Sequence, residues 1–434
     1  MTDWTNWAGN QRAAQVHVAA PRSTDELVAA VRAATARGER IKPIGAGHSF
    51  TGIGHPEHVQ LRLDHYARLV RLDRDTRLVT VQAGMPLHRL NRFLAEAGLS
   101  LTNLGDIDRQ TIAGAVSTGT HGTGARFGGL ATQLRGLEMV LADGTLLSAS
   151  TEENADVFTA ARVGLGALGV LSTVTLQAEP QFAMHAHEGP MPLGAVLADL
   201  DELADTTDHF EFYWFPHTER TLVKRNTRLP WSDEVRGPSR LSSWWNDELL
   251  NNIALGAAVG LGKRVPRAVP GINSVVTRLL GDRTFTDVSH QVFTSPRRVR
   301  FVEMEYAVPR AELAGLVRAI KHTIETRGWP IAFPIEVRVA AADDIPLSTA
   351  SGRASGYVAV HVPAGQEHET YFRAVEQLAG EVGGRPHWGK LHYLDAATLR
   401  ERYPRFDEFV ALRDRLDPRG VFSNAYLDRV LGCP

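Results

Sequence analysis

The sequence predicts an α+β protein of two domains, and three observations predict it. The chain has 434 residues, too many for one ordinary core, so two domains are expected, with room for three. Its first half alternates short apolar runs with glycine-rich connections, whereas its second half interleaves alternating strands with helices. That second pattern suits an antiparallel sheet covered by helices on one side. The boundary is placed at residue 180, giving a first domain over 8–180 and a second over 181–434.

The elements follow in order. Residues 24–37 read as a helix, with Ser23 or Thr24 as cap, Glu26 in the first turn and Leu27, Val28, Val31 and Ala34 as an apolar stripe. Short strands follow at 40–44, 59–63 and 78–84, and Pro86 opens a helix to about Glu96. Asp143-Gly144 joins two strands as a hairpin, and 170–176 is another strand. In the second half 210–215, 300–306, 335–339 and 357–362 read as strands, and 311–324 and 369–378 as helices. Residues 229–285, with Trp231, Trp244 and Trp245, read as a helical insertion.

Composition excludes some functions. A net charge of −2 gives no nucleic-acid footprint. The lone Cys433 cannot form an internal disulfide, and the first residues carry no secretory signal, so a cytoplasmic location is expected. The apolar stretch Ile253 to Gly262 is far shorter than the roughly 20 residues of a spanning helix. It suits a buried helix or a peripheral membrane contact through residues 250–262. Seventeen histidines invite a metal reading, but His185-Ala186-His187 is a bare pair, and His55 and His58 lack a carboxylate at zinc-protease spacing. No metal is expected.

Three glycine loops carry the chemistry. Gly45-Ala46-Gly47-His48-Ser49 follows a strand but leads through Gly52, Gly54 and Pro56 into another strand, not into a helix. That disfavours the Rossmann fingerprint and suits exposed N–H groups wrapped around a pyrophosphate. Gly114-Ala115-Val116-Ser117-Thr118-Gly119-Thr120-His121-Gly122-Thr123-Gly124 is almost all small residues and hydroxyls, so its backbone can approach a flat ring or a phosphate. Gly164-Leu165-Gly166-Ala167-Leu168-Gly169 precedes the strand that starts at Val170. Each loop alone could be a packing joint; three in one domain favour a large ligand.

These residues resemble the FAD domain of the vanillyl-alcohol-oxidase-type flavoproteins. In the second half, Pro334-Ile335-Glu336-Val337-Arg338, Arg385-Pro386-His387-Trp388-Gly389-Lys390 and Leu416 to Asn424 resemble the sugar-1,4-lactone oxidase branch. That branch holds L-gulono-1,4-lactone oxidases and dehydrogenases, D-arabinono-1,4-lactone oxidases and, nearby, alditol oxidases. The resemblance runs from about Trp7 to the end. It implies a bipartite FAD-binding domain, a cap domain, and a tail, about 385–434, that packs back on the FAD domain. It implies FAD, bonded covalently through His48, and cofactor contacts from Gly45, Ala46, Gly47, Ser49, Gly114, Ser117, Thr118, Gly119, His121, Gly122, Gly124, Gly169, Val170, His387 and Asn424.

The resemblance also implies a substrate. Glu336, Arg338 and Lys390 become the substrate and catalytic residues, and Glu336 and Arg338 share one strand face, where they can clamp a diol or a carbonyl. Without that context an isolated Glu-x-Arg reads as a surface ion pair. His361 falls where alditol oxidases place an active-site histidine, but Pro363 stands where those enzymes carry a threonine, and Gly47 precedes the flavin histidine. Both features lean towards a lactone. The implied reaction is hydride transfer from a hydroxyl-bearing carbon of an aldono-1,4-lactone to the flavin, at C2 of L-gulono-1,4-lactone for example, with an ascorbate-type product. Electrons pass on to oxygen, a dye, a quinone or a cytochrome. The alternatives are an alditol oxidase acting on xylitol- or sorbitol-like polyols, and a flavin-binding protein without turnover.

Overall fold

A computed structural model of the chain describes residues 1–238, 260–262, 264–295 and 299–434. The helix Thr24–Ala36 starts where Ser23 Oγ accepts a hydrogen bond from Glu26 N, and it buries Leu27, Val31 and Ala34. Beside it runs a four-stranded sheet in the order Thr2–Thr5, Arg12–Ala19, Val59–Arg62, Ile41–Ile44. Its last three strands are parallel. A second, antiparallel sheet has the order Leu69–Asp73, Leu78–Gln82, Val170–Gln177, Leu134–Val140, Leu146–Ser150. Its hairpin turns at Asp143-Gly144: Gly144 has φ +82° and Asp143 Oδ1 accepts from Thr145 N at 2.8 Å.

The second half forms an eight-stranded antiparallel sheet. Its order is Arg283–Val288, Phe182–Pro192, Arg220–Pro230, His209–Trp214, Ile335–Ala340, Ser355–Pro363, Phe301–Pro309, Arg385–Pro386. Register lines up Phe212, Val337, Val358 and Tyr306 across four strands. Helices Leu313–Arg327 and Glu369–Glu381 cover that row with Leu316, Val317, Ile320, Phe372 and Val375. Each such buried side chain contributes about 1.5–3 kcal/mol. The neighbouring rows, Glu211 with Arg338 and Tyr213 with Glu336, point to the other face. That face is buried too. Gly124 N donates to Val339 O at 2.9 Å and Ala341 N to Phe127 O at 3.0 Å, which joins the second glycine loop to the sheet.

The main apolar cluster gathers side chains from Leu27 to Ala178 and, from the far end of the chain, Trp388, Phe409, Phe422, Leu427 and Leu431. The C-terminal segment is also tied to the chain on both sides of the first glycine loop: Phe50 N donates to Gly389 O at 2.7 Å and Ile41 N to Val421 O at 2.8 Å.

Two expectations change. The insertion at 229–285 is not only helical: Arg220–Pro230 and Arg283–Val288 are strands of the large sheet, flanking helix Val269–Arg278. Trp244, Trp245 and most of the stretch Ile253 to Gly262 lie outside the described residues. The strands Thr2–Thr5, Arg12–Ala19, Leu69–Asp73 and Phe182–Pro192 were not anticipated. Among the described residues, no helix is long and apolar enough to cross a membrane.

Candidate active site

Strand Ile41–Ile44 delivers the chain into the first glycine loop. Gly47 has φ +70°, a conformation that favours glycine. A Cβ on Gly45 would stand 2.3 Å from Thr111 Oγ1, so no larger residue fits there. Among the described residues, no acceptor takes the backbone N–H groups of Ala46, Gly47, His48 and Ser49. Four successive free donors suit an anion held by backbone alone. They border a cavity, partly open to solvent, whose other walls include Gly114, Ser117, Thr118, Gly166 and Gly169.

His48 closes one end of this cavity. Its ring stacks on Trp7, centroids 5.4 Å apart at 28°. Trp7 N donates to Gly47 O at 2.8 Å and Asn6 Nδ2 to Ser49 O at 3.0 Å, so the N-terminal segment holds the loop in place. Burial, helped by the nearby Lys390 ammonium, lowers the imidazole to about 4. The ring is therefore neutral at pH 7 and keeps a free lone pair.

A second cavity, also partly open to solvent, begins at the same residues: His48, Ser49, Gln110 and Thr118 line both. It is bounded by the charged face of the large sheet. Arg338 Nε donates to Glu211 Oε2 at 2.7 Å, and its Nη2 pairs with Glu336. Tyr213 Oη donates to Glu336 Oε1 at 3.1 Å. Lys390 pairs with Glu303, and His361 Nε2 lies 3.6 Å from the other oxygen of that carboxylate. His361 Nδ1 is 3.3 Å from Pro334 O. Behind them, His121 Nε2 lies 3.3 Å from Glu305, and His121 stacks on Tyr357 at 3.8 Å.

The charges are locked. Burial pushes the Glu303 carboxyl up, but Lys390 and His361 outweigh it and hold the group at about 2. His121 and His387 likewise hold Glu305 well below its ordinary value against burial. His387 is lowered to about 4 by burial, and its Nδ1 accepts from Gly389 N at 3.1 Å. The cavity thus offers carboxylates and cations in fixed pairs around one space.

Residues 174–430, more than half of the chain, match the family described as D-arabinono-1,4-lactone oxidase. The chain belongs to this family. Residues 16–150 match an FAD binding domain. The chain is 44% identical to an L-gulono-1,4-lactone dehydrogenase of Mycobacterium tuberculosis over 99% of each protein. It is 35% identical to the L-gulonolactone oxidase of Bos taurus, over 98% of this chain and 97% of that one. An alditol oxidase of a Streptomyces species is 31% identical over 98% of both. Among solved structures, cholesterol oxidase from B. sterolicum superposes with a TM-score of 0.83 at 19% identity, covering 99% of this chain and 96% of that one; this likeness is one of fold. The protein is an FAD-dependent oxidoreductase of the D-arabinono-1,4-lactone oxidase family, with the fold expected of the vanillyl-alcohol-oxidase type.

Within this family frame, the residues singled out in the sequence sort into three groups. Gly45, Ala46, Gly47, His48, Ser49, Gly114, Ser117, Thr118 and Gly169 line the first cavity. Glu336, Arg338, Lys390, His361, His121 and His387 line the second. The rest line neither. Gly119 borders a small space behind His121. Gly122 is a packing joint, since a Cβ there would lie 2.2 Å from Leu104 O, and Gly124 is the joint to the large sheet. Val170 is buried in the apolar core. Asn424 caps helix Ala425–Leu431 and donates to Gly52 O and His55 O, each at 2.9 Å, so it shapes the loop from behind.

Sequence reasoning passed over Trp7, Gln110, Glu211, Tyr213, Glu303 and Glu305. One signal was available for the acids: three strands place polar residues at alternate positions, 211 and 213, 303 and 305, 336 and 338. Period-two charge is ordinarily a solvated face, and here that face is buried against the first half of the chain.

Proposed function

We propose that this protein oxidises a hydroxyl-bearing carbon of an aldono-1,4-lactone, L-gulono-1,4-lactone in the first instance. Residues 8–180 serve as the FAD-binding unit and 181–434 as the substrate unit. The observation that carries the reading is the junction of the two cavities at His48: a glycine-walled space with free N–H groups opens into a space walled by Glu336, Arg338, His361 and Lys390. FAD bound in the first space supplies the two-electron acceptor.

The side chains then divide the work. The substrate hydroxyl passes its proton to the Glu336 carboxylate, and as negative charge grows on that oxygen the Arg338 guanidinium and Lys390 ammonium stabilise it. Glu336 accepts hydrogen bonds from neighbouring hydroxyls and orients the ring. A carbonyl can only accept, so His361 Nδ1 carries the proton shared with Pro334 O, leaving Nε2 as the ring nitrogen that faces the cavity and Glu303. Phe301, Phe333 and Trp7 supply apolar wall and exclude water. His48, neutral and held by Trp7, is the residue that carries a covalent bond to the cofactor.

The second reading, an alditol oxidase, draws support from the Streptomyces relative. Pro363 weighs against it, because it has no side-chain donor and lies outside the cavity wall. Turnover with a dye acceptor decides between them: kcat/KM for L-gulono-1,4-lactone or D-arabinono-1,4-lactone should exceed that for xylitol and sorbitol at least tenfold. The reverse order would establish the alditol reading. Hydrogen peroxide release in air identifies oxygen as acceptor; its absence, with dye turnover intact, points to a dye-, quinone- or cytochrome-linked dehydrogenase.

A further inference from the structure

Lys42 sits in strand Ile41–Ile44, just before the row of free N–H groups, and is 3% exposed. Its ammonium donates to Phe422 O at 2.9 Å and to Gly166 O at 3.2 Å, both backbone carbonyls. Lys42 and Gly166 both line the first cavity, and a Cβ on Gly166 would lie 3.7 Å from Nζ. Among the described residues, the carboxylates that influence it, Asp417, Glu57 and Asp428, act through space and not by hydrogen bonding. Each has another engagement: Asp417 accepts from Val421 N and Phe422 N, and Glu57 and Asp428 pair with Arg40.

A buried cation without a counter-ion is costly, and two carbonyls repay only part of that cost. The same cavity holds four unused N–H donors. Both features call for a negative charge at one wall. We propose that Lys42 is the counter-charge for the diphosphate of the dinucleotide cofactor and that, with the N–H row of Ala46 to Ser49, it forms a single anion-binding wall. The inference rests on the FAD reading and extends it to a residue with no part in the chemistry.

A pH dependence follows. Burial lowers the ammonium to about 7, with Asp417, Glu57 and Asp428 opposing burial and Arg40 adding to it. An arriving diphosphate favours the charged form, so binding takes up a proton at and above that pH, and affinity falls as pH rises through it. A diphosphate diester does not itself titrate in this range, so the change reports on the protein.

Full-length His48→Ala protein freed of flavin provides the test, by calorimetry with FAD, ADP-ribose and adenosine at pH 6 and 9. At pH 6, ADP-ribose should bind about tenfold tighter than adenosine, as expected for hydrogen bonds to a charged group. FAD affinity should fall several-fold by pH 9. Lys42→Met should lose most of the preference for the diphosphate, the N–H row keeping the remainder, and Lys42→Arg should keep it in full with affinity flat in pH. Equal binding of ADP-ribose and adenosine, or a preference undiminished by Lys42→Met, would overturn the proposal and leave Lys42 as a tie between its strand and two loops. The unsubstituted-Lys42 protein alone gives the pH arm, so the test survives a Met variant that fails to fold. Failure of that protein to bind FAD at all would overturn the cofactor reading and this one with it; FAD binding without the Lys42 effects would overturn this one alone.

Discussion

Arg338 Nε donates to Glu211 Oε2 at 2.7 Å, and neither side chain is more than 10% exposed. The strands His209–Trp214 and Ile335–Ala340 place the two residues directly opposite each other. Glu211 therefore fixes the plane of a guanidinium whose other edge meets Glu336. Glu211→Gln keeps an acceptor but removes a charge. Flavin reduction should slow about tenfold, the equivalent of ~1.4 kcal/mol, while flavin content is unchanged. Rapid-mixing absorbance measures it; an unchanged rate would mean that Arg338 needs no second carboxylate.

His48 makes the attachment of the cofactor testable without any substrate. Its imidazole, lowered to about 4, is unprotonated across the neutral range. Acid-precipitated wild-type protein should stay yellow, and His48→Ala should release all of its flavin to the supernatant. Complete release from the wild type would refute the covalent bond but not FAD dependence.

Two glycines should fail in different ways. Gly122→Ala drives a Cβ to 2.2 Å from Leu104 O and 2.4 Å from Asn103 Oδ1. It should cost about 3 kcal/mol of stability, visible as a lower urea midpoint. Gly47→Ala meets nothing closer than 3.6 Å and bears only the cost of φ +70°, about 1 kcal/mol. Its main effect should be lower FAD incorporation, because the loop it distorts carries the free N–H groups. Equal midpoints for the two variants would contradict this division.

Acid should destabilise the fold through buried neutral histidines. His209, His387 and His392 are lowered by burial to about 4, 4 and 3. The unfolded chain binds protons at these sites near 6.5, so below that pH it holds more protons than the native state, and stability rises with pH. Their contribution is fully present above 6.5 and is lost as pH falls towards 4. Between pH 6.5 and 5.5 the loss is about 3 kcal/mol in total. Urea midpoints at the two pH values measure it, and identical midpoints would show that these rings titrate normally.

How much of this was legible in the sequence depends on whether the signal was local. The Asp143-Gly144 hairpin, the Ser23 cap and the shared face of Glu336 and Arg338 rest on neighbours in the chain, and each is present. Glu303 and Glu305 carried a period-two signal, but only the packing of the sheet against the glycine loops tells a buried charged face from a wet one. Trp7 meets His48 across 41 positions of sequence, a contact no local pattern encodes. Asn424 had a local explanation that the family resemblance obscured: it directly precedes a helix and caps it.

The central claim is that Arg338 and Lys390 act on the substrate in front of the cofactor cavity, and anaerobic rapid-mixing reduction of the bound flavin by L-gulono-1,4-lactone tests it most directly. The wild type should bleach fully. Arg338→Ala and Lys390→Ala should bleach about a hundredfold more slowly, the equivalent of ~3 kcal/mol of lost transition-state stabilisation, with flavin content near wild type. Reduction of both variants at the wild-type rate would contradict the claim and leave these residues as a structural ion-pair network.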